Sequence, residues 1–304
     1  YVMANTWGSG ANQFAAREEN VRAELGSQAA LGIDVQQIDD GWQGLETHGD
    51  HWRPVPRITS GKKGKQVEPY DVYPNGWQPV RDYAAQKGVK LGLWANARIS
   101  AEDLLWNYDQ VGFRYFKIDF ANLDTMAKVE DLMGKVRGLV LHSGQQVRVN
   151  WDVTEKEPRA GYFFGREYGN IYLENRKPDS PRSVIYTPHL VLRDAWQVAR
   201  YLNLNKFQVT VQNADRVNRE MSDAWKHPHD YCLAQTLMGS PIFFQETHYY
   251  TDAARNQIRP LLALYKQQRA EMFKGYVFPV GDKPDNKSWS GFQNHNPENG
   301  SGFL

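Results

Sequence analysis

The chain has 304 residues, 41% of them hydrophobic, which is enough for one large barrel or two ordinary domains around a buried core. Lys plus Arg (36) balance Asp plus Glu (35) to a net charge of +1, so no charge excess would hold a polyanion or an anionic membrane, and neither nucleic acid nor a membrane is expected as a partner. No run approaches the ~18 apolar residues of a membrane span, and a single cysteine, Cys232, excludes an internal disulfide and a cysteine-based zinc cage.

Strand-like runs lie at 2–7, 34–40, 90–97, 114–120, 146–152, 170–175, 206–212 and 241–246. Helical patterns fall between them near 14–31, 77–87, 101–111, 124–141 and 187–203, and another follows the last strand near 251–273. The link from the fifth strand to the sixth has no convincing helix, and the link after the seventh is a long loop followed by a helix near 228–238. Eight strands with mostly helical crossovers predict an α/β chain folded as a closed (β/α)8 TIM barrel. An open dinucleotide-binding sheet is disfavoured, because Gly8-Ser9-Gly10 is too short for its Gly-rich turn.

Two inserts, 43–75 and 213–227, leave from strand carboxyl ends, where barrel enzymes build their pockets. The first carries Gly61-Lys62-Lys63-Gly64-Lys65, which lacks the Gly-Lys-Ser/Thr ending of a phosphate loop and reads as a surface excursion. The chain opens within Tyr1-Val2-Met3-Ala4 and closes on Ser301-Gly302-Phe303-Leu304, as a new strand begins. The expectation is a catalytic barrel over 1–280, then a linker or the start of a truncated β-sandwich over 281–304, cut from a longer protein. A trimmed signal peptide would mean a secreted or periplasmic protein, and its absence a cytoplasmic one.

Strand side chains alternate, so helix-facing and axis-facing sets can be separated. In the fourth strand Phe116, Ile118 and Phe120 form the apolar set, which sends Lys117 and Asp119 inward. The same division sends Trp94, Asn96 and Arg98 inward on the third strand, and Arg148, Asn150 and Asp152 on the fifth. It puts Tyr172, Glu174 and Arg176 inside on the sixth, and Gln208, Thr210 and Gln212 on the seventh. Barrel interiors are usually apolar, and burying ionisable groups costs several kcal/mol apiece, so this polar set points to a functional site. A structural salt-bridge network among Lys117, Asp119, Arg148 and Arg98 is the competing reading, but it leaves the accompanying aromatics unexplained.

His227-Pro228-His229-Asp230 imitates a metal cluster, but the proline breaks one-face spacing and no third ligand is evident, so no metal or other cofactor is expected. Cys232, in Tyr231-Cys232-Leu233-Ala234, reads as a buried packing residue.

Asn5-Thr6-Trp7, Ile38-Asp39-Asp40-Gly41-Trp42, Gly92-Leu93-Trp94 and Tyr115-Phe116-Lys117-Ile118-Asp119 end or lie within the first four strands. In this order they resemble the catalytic barrel of the clan D α-galactosidases, glycoside hydrolase families 27 and 36, with family 36 closer. The resemblance implies Asp119 as nucleophile and Lys117 as a sugar-hydroxyl ligand beside it. It implies Asp39 and Asp40 as the acidic pair on the sugar's hydroxyls, and Trp42 and Trp94 as aromatic walls, with Trp7 a further substrate-binding candidate. Trp289-Ser290-Gly291-Phe292-Gln293 resembles the start of the sandwich that follows such barrels.

The sequence departs from the family after strands five and six, where Asn150-Trp151-Asp152-Val153-Thr154 and Tyr172-Leu173-Glu174-Asn175-Arg176 replace the Cys-Ser-Gly-Gly and Ser-Asp motifs. Glu174 holds the acid/base position by strand, with Asp152, then Asp223 and Glu246, as alternatives. Asp152, Arg159 and Arg176 are candidate sugar ligands. The expected activity is retaining hydrolysis of a terminal α-galactosyl-type bond in an oligosaccharide or polysaccharide, with the two carboxyls about 5–5.5 Å apart. Competing readings are hydrolysis or transglycosylation of a related sugar (α-N-acetylgalactosaminide, β-L-arabinopyranoside, α-glucoside), a non-catalytic carbohydrate-binding barrel, and a metal-dependent barrel enzyme. Assembly as a homo-oligomer is left open.

Overall fold

Eight parallel strands close into a barrel in sequence order, as the alternation predicts. The computed structural model describes residues 1–8, 11–43, 56–57, 70–152, 164–165, 169–173, 186–244 and 247–304. The strands are β1 (Met3–Asn5), β2 (Val35–Ile38), β3 (Lys90–Asn96), β4 (Tyr115–Asp119), β5 (Arg148–Asp152), β6 (Asn170–Leu173), β7 (Phe207–Val211) and β8 (Ser240–Phe243). Each pairs with the next, and β8 returns to β1 with Met3 opposite Ile242. Helices α1 (Glu18–Leu31), α2 (Gln78–Lys87), α3 (Ala101–Trp106), α4 (Met126–His142), α5 (Pro188–Ala199) and α6 (His229–Ala234) lie between strands, and α7 (Asp252–Met272) follows the last.

Local chemistry sets several helix ends. Ser100, Thr125 and Thr251 accept hydrogen bonds from the backbone N–H groups of Asp103, Lys128 and Ala254, capping α3, α4 and α7. Such caps contribute about 1 kcal/mol each. The helix predicted from residue 14 begins only at Glu18, because Asn12–Ala16 forms a 3-10 turn and Arg17 is extended. The segment 101–111 is helical throughout but changes to a π turn over Asn107–Val111.

The helix-facing residues build two apolar layers. One gathers Leu93, Phe116, Ile118, Val149 and Trp151, and the other Phe207, Val209, Val211 and Phe243. Inside the barrel a smaller cluster holds Met3, Val35, Tyr115, Tyr172, Ile242 and Phe244. Amides sit among them: Asn150 Nδ2 donates to Gln37 Oε1 at 2.9 Å and Gln208 Nε2 meets Met3 Sδ at 3.3 Å. The interior is thus a mixed layer, with the charged groups of β2, β4 and β5 above it.

Beyond α7, strands β9 (Tyr276–Gly281), β10 (Ser290–His295) and β11 (Gly302–Phe303) form an antiparallel sheet. It is tied to the barrel by Asn205 Nδ2 on Gly275 O (2.8 Å) and Asn294 Nδ2 on Met272 O (2.8 Å). Among the described residues no helix is long and apolar enough to cross a membrane.

Candidate active site

The site grows from a register match. Asn96, Asp119 and Asp152 are directly opposed on β3, β4 and β5, which sets two carboxylates on neighbouring strands side by side. One layer below, Lys117 is opposed to Trp94 and Asn150, and its long chain reaches up to the carboxylates. Its Nζ lies 2.8 Å from Asp152 Oδ2, 3.2 Å from Asp39 Oδ2 and 3.9 Å from Asp119 Oδ2, and 4.5 Å above the Tyr172 ring.

Lys117 is 2% exposed. Burial by itself would lower its pKa, but Asp152, Asp39, Tyr172 and Asp119 together raise it well above the ordinary lysine value, so it stays a cation. The competing network with Arg98 and Arg148 does not form among the described residues. Arg148, exposed at the amino-terminal end of β5, bonds Gln145 O, and exposed Arg98 bonds Asn96.

Asp119 is the most open of the three carboxylates, its side chain 14% exposed against 2% for Asp39 and 3% for Asp152. Trp94 Nε1 donates to its Oδ2 at 2.9 Å and the Phe120 N–H to its Oδ1 at 2.6 Å. Phe120 itself takes a left-handed backbone, φ 52°, which costs a non-glycine residue on the order of 1 kcal/mol and is the kind of strain found at functional sites. By itself the Lys117 cation would lower the Asp119 pKa and hold it ionised. Instead burial dominates: desolvation, helped by Asp39, raises the Asp119 pKa despite Lys117, Trp94 and the Phe120 N–H.

The paired aspartates after β2 are joined by the Asp40 N–H on Asp39 Oδ1 (2.9 Å), but their carboxylates take different side-chain partners. Asp39 accepts from Asn5 Nδ2 (2.7 Å) and Lys117, and its own N–H donates to Thr6 Oγ1 (2.9 Å). Asp40 is held by Gln13 Nε2 (2.7 Å) and by Gln43. Gly41, φ 117°, permits this: a Cβ there would lie 2.3 Å from Gln13 O. Asp40→Asn would turn an acceptor into a donor facing those amides. It should raise the Michaelis constant for a sugar substrate about tenfold or more; wild-type steady-state kinetics would refute a binding role for Asp40.

The tryptophans divide as well. Trp94 holds Asp119, and half-buried Trp7 packs at the edge of the interior cluster, with its N–H on Asn5 Oδ1 (2.7 Å). Trp42 is fully buried against Trp77, its Nε1 bonded to Trp94 O at 2.9 Å, so it supports Trp94 from behind. Glu174, Arg159, Arg176 and Glu246 lie outside the described residues. Asp223 sits between His189 and His227, 3.7 Å from each, and His229 pairs with Asp215 at 3.1 Å, so the two histidines of the 227–230 run serve different carboxylates. Among the described residues no three His, Cys, Asp or Glu side chains are grouped to hold a metal. Cys232 is buried, and burial pushes its thiol up to about 11.

Gln13, Gln43 and the Phe120 N–H were not legible as site groups. The two glutamines reach Asp40 from segments 30 residues apart in sequence, and a backbone N–H carries no signature in residue type.

Chemically, the cluster offers one carboxylate with an open edge, fixed by two donors, among further carboxylates and a buried cation. No family model and no curated protein matches the sequence. Solved structures do resemble it in fold. An α-galactosidase from Lactobacillus brevis superposes with a TM-score of 0.65 at 13% identity, over 98% of this chain and 44% of that one. A family 36 α-galactosidase from Geobacillus stearothermophilus gives 0.60 at 12% identity, over 98% and 46%. A family 27 β-L-arabinopyranosidase from the same organism gives 0.58 at 12% identity, over 98% and 81%. The chain therefore spans less than half the length of the two α-galactosidases, and at this identity what it shares with all three is the barrel fold.

Proposed function

We propose that the protein is a retaining glycoside hydrolase acting on terminal α-galactosyl-type bonds, with Asp119 as nucleophile. The observation that carries this reading is the Asp119 carboxylate itself, open on one edge and aimed by Trp94 Nε1 and the Phe120 N–H at the mouth of the barrel. A carboxylate so held can attack an anomeric carbon without reorganising, and Asp39 and Asp40 supply acceptors for sugar hydroxyls. The likeness to α-galactosidase barrels supports the same chemistry. Turnover of a panel of aryl α- and β-glycosides, with the anomer of the first product recorded, tests it. Release of the α-anomer from an α-galactoside is expected, and no turnover of any glycoside would sink the reading.

Glu174 is the proposed acid/base. Glu174→Ala should spare activated aryl glycosides, whose leaving groups need little protonation, and lose at least about 100-fold on natural sugars. Azide should partly restore turnover and yield a glycosyl azide of retained configuration. If Asp152→Ala or Asp223→Ala gives that pattern instead, the acid/base assignment moves to that residue.

A further inference from the structure

Gln212 directly follows β7 and carries a buried amide that nothing in the described protein answers. Val209 and Val211 face the helices, so Gln208, Thr210 and Gln212 face the axis, and the contact of Gln208 with Met3 Sδ fixes that direction. Pairing with β8 persists to this level, where the Phe244 N–H donates to Val211 O at 2.9 Å. Gln212 is 1% exposed, yet among the described residues neither its Oε1 nor its Nε2 has a hydrogen-bond partner. Buried amides are nearly always bonded, and leaving a donor and an acceptor unanswered together is costly. Such a cost is expected where a ligand completes the bonding.

The register says which ligand. Continuing the β7–β8 and β8–β1 pairings places Gln212 beside Phe244 and Phe244 beside Asn5, whose amide is bonded to Asp39. Gln212 thus stands at the carboxyl end of the barrel, three strands round from Asp119. A pyranose held between Asp119 and Asp39 would turn its remaining edge toward β7. We infer that Gln212 is a sugar-binding residue that receives a vicinal hydroxyl pair, Nε2–H donating to one oxygen and Oε1 accepting from the other. This inference rests on the glycosidase reading. Gln208 is not an equivalent candidate, because its Nε2 is engaged with Met3 deeper in the barrel.

The test is Gln212→Met, close in shape and without the amide. Stability and binding should move in opposite directions: the thermal midpoint should rise by roughly 2–4 °C, since two unanswered polar atoms are removed. The Kd for 1-deoxygalactonojirimycin, measured by titration calorimetry, should rise roughly tenfold or more, with a parallel rise in KM for 4-nitrophenyl α-galactoside. A lower midpoint would overturn the inference, because the amide would then have a structural partner. An unchanged Kd would overturn it too, assigning the amide to a buried water; in both cases a parent protein that binds the iminosugar and turns over the galactoside keeps the glycosidase reading intact. If the parent does neither, that reading falls and this inference falls with it.

Discussion

Asp119→Ala should lower turnover on every substrate by on the order of 10⁴-fold or more, the scale on which loss of a catalytic nucleophile is felt. Of the three carboxylates that share Lys117, only Asp119 combines an open edge with two fixed donors. Azide should attack the α-galactoside from the vacated side and give an inverted product, the opposite of the outcome for Glu174→Ala. The raised Asp119 pKa adds a pH signature. The nucleophile must be ionised, so the acidic limb of kcat/KM should lie above the ordinary carboxylate range. The same shift acts on folding. A carboxyl whose folded pKa exceeds its unfolded one contributes stability that is present below the unfolded pKa and lost as pH rises through the folded value. Asp119→Asn, which cannot ionise, should therefore be inactive yet more heat-stable than the parent at neutral pH. A variant with normal turnover, or loss confined to Asp39→Ala or Asp152→Ala, would remove Asp119 from the nucleophile role.

The barrel was legible because alternation and spacing are local signals. Phe116 and Ile118 flanking Lys117 are enough to assign faces on β4, and seven of the eight strands lie within the predicted runs, the eighth starting one residue early at Ser240. Helix boundaries were less legible, since the extended Arg17 and the π turn at Asn107–Val111 have no signature in hydrophobic periodicity.

The site was legible as a set of residues, and less so in its energetics. Inward positions on β4 and β5, with the Asp-Asp motif that follows β2, do bring Asp39, Lys117, Asp119 and Asp152 together. The sequence could not show that Lys117 lies nearer Asp152 than Asp119, because that depends on how far its chain rises across the strand register. Nor could it show that burial outweighs the lysine at Asp119, since desolvation depends on everything packed around the carboxyl. Trp42 illustrates a third limit: a motif position names a residue, but only packing decides that its ring turns toward Trp77.

Lys117→Met should cost the fold about 3–5 kcal/mol, the usual range when one partner of a buried ion cluster is removed. Three carboxylates lie within 4 Å of its Nζ, and the strand register that opposes Asp119 and Asp152 is tolerable only with that cation beneath them. Methionine fills the volume but leaves like charges buried side by side. The pH dependence identifies the cause. The folded pKa of Lys117 lies above its ordinary value, so its own contribution is complete below that value and lost only as pH rises through the folded one. Near neutrality the lysine itself therefore adds no slope. In Lys117→Met the carboxyl pKa values should be pushed up, so the variant should lose stability as pH rises through them and regain part of it in acid. Urea unfolding at pH 5 and pH 8 reads this directly, with a larger deficit expected at pH 8. An equal deficit at both would assign the loss to packing, and no deficit at pH 8 would mean that the carboxylates do not depend on Lys117.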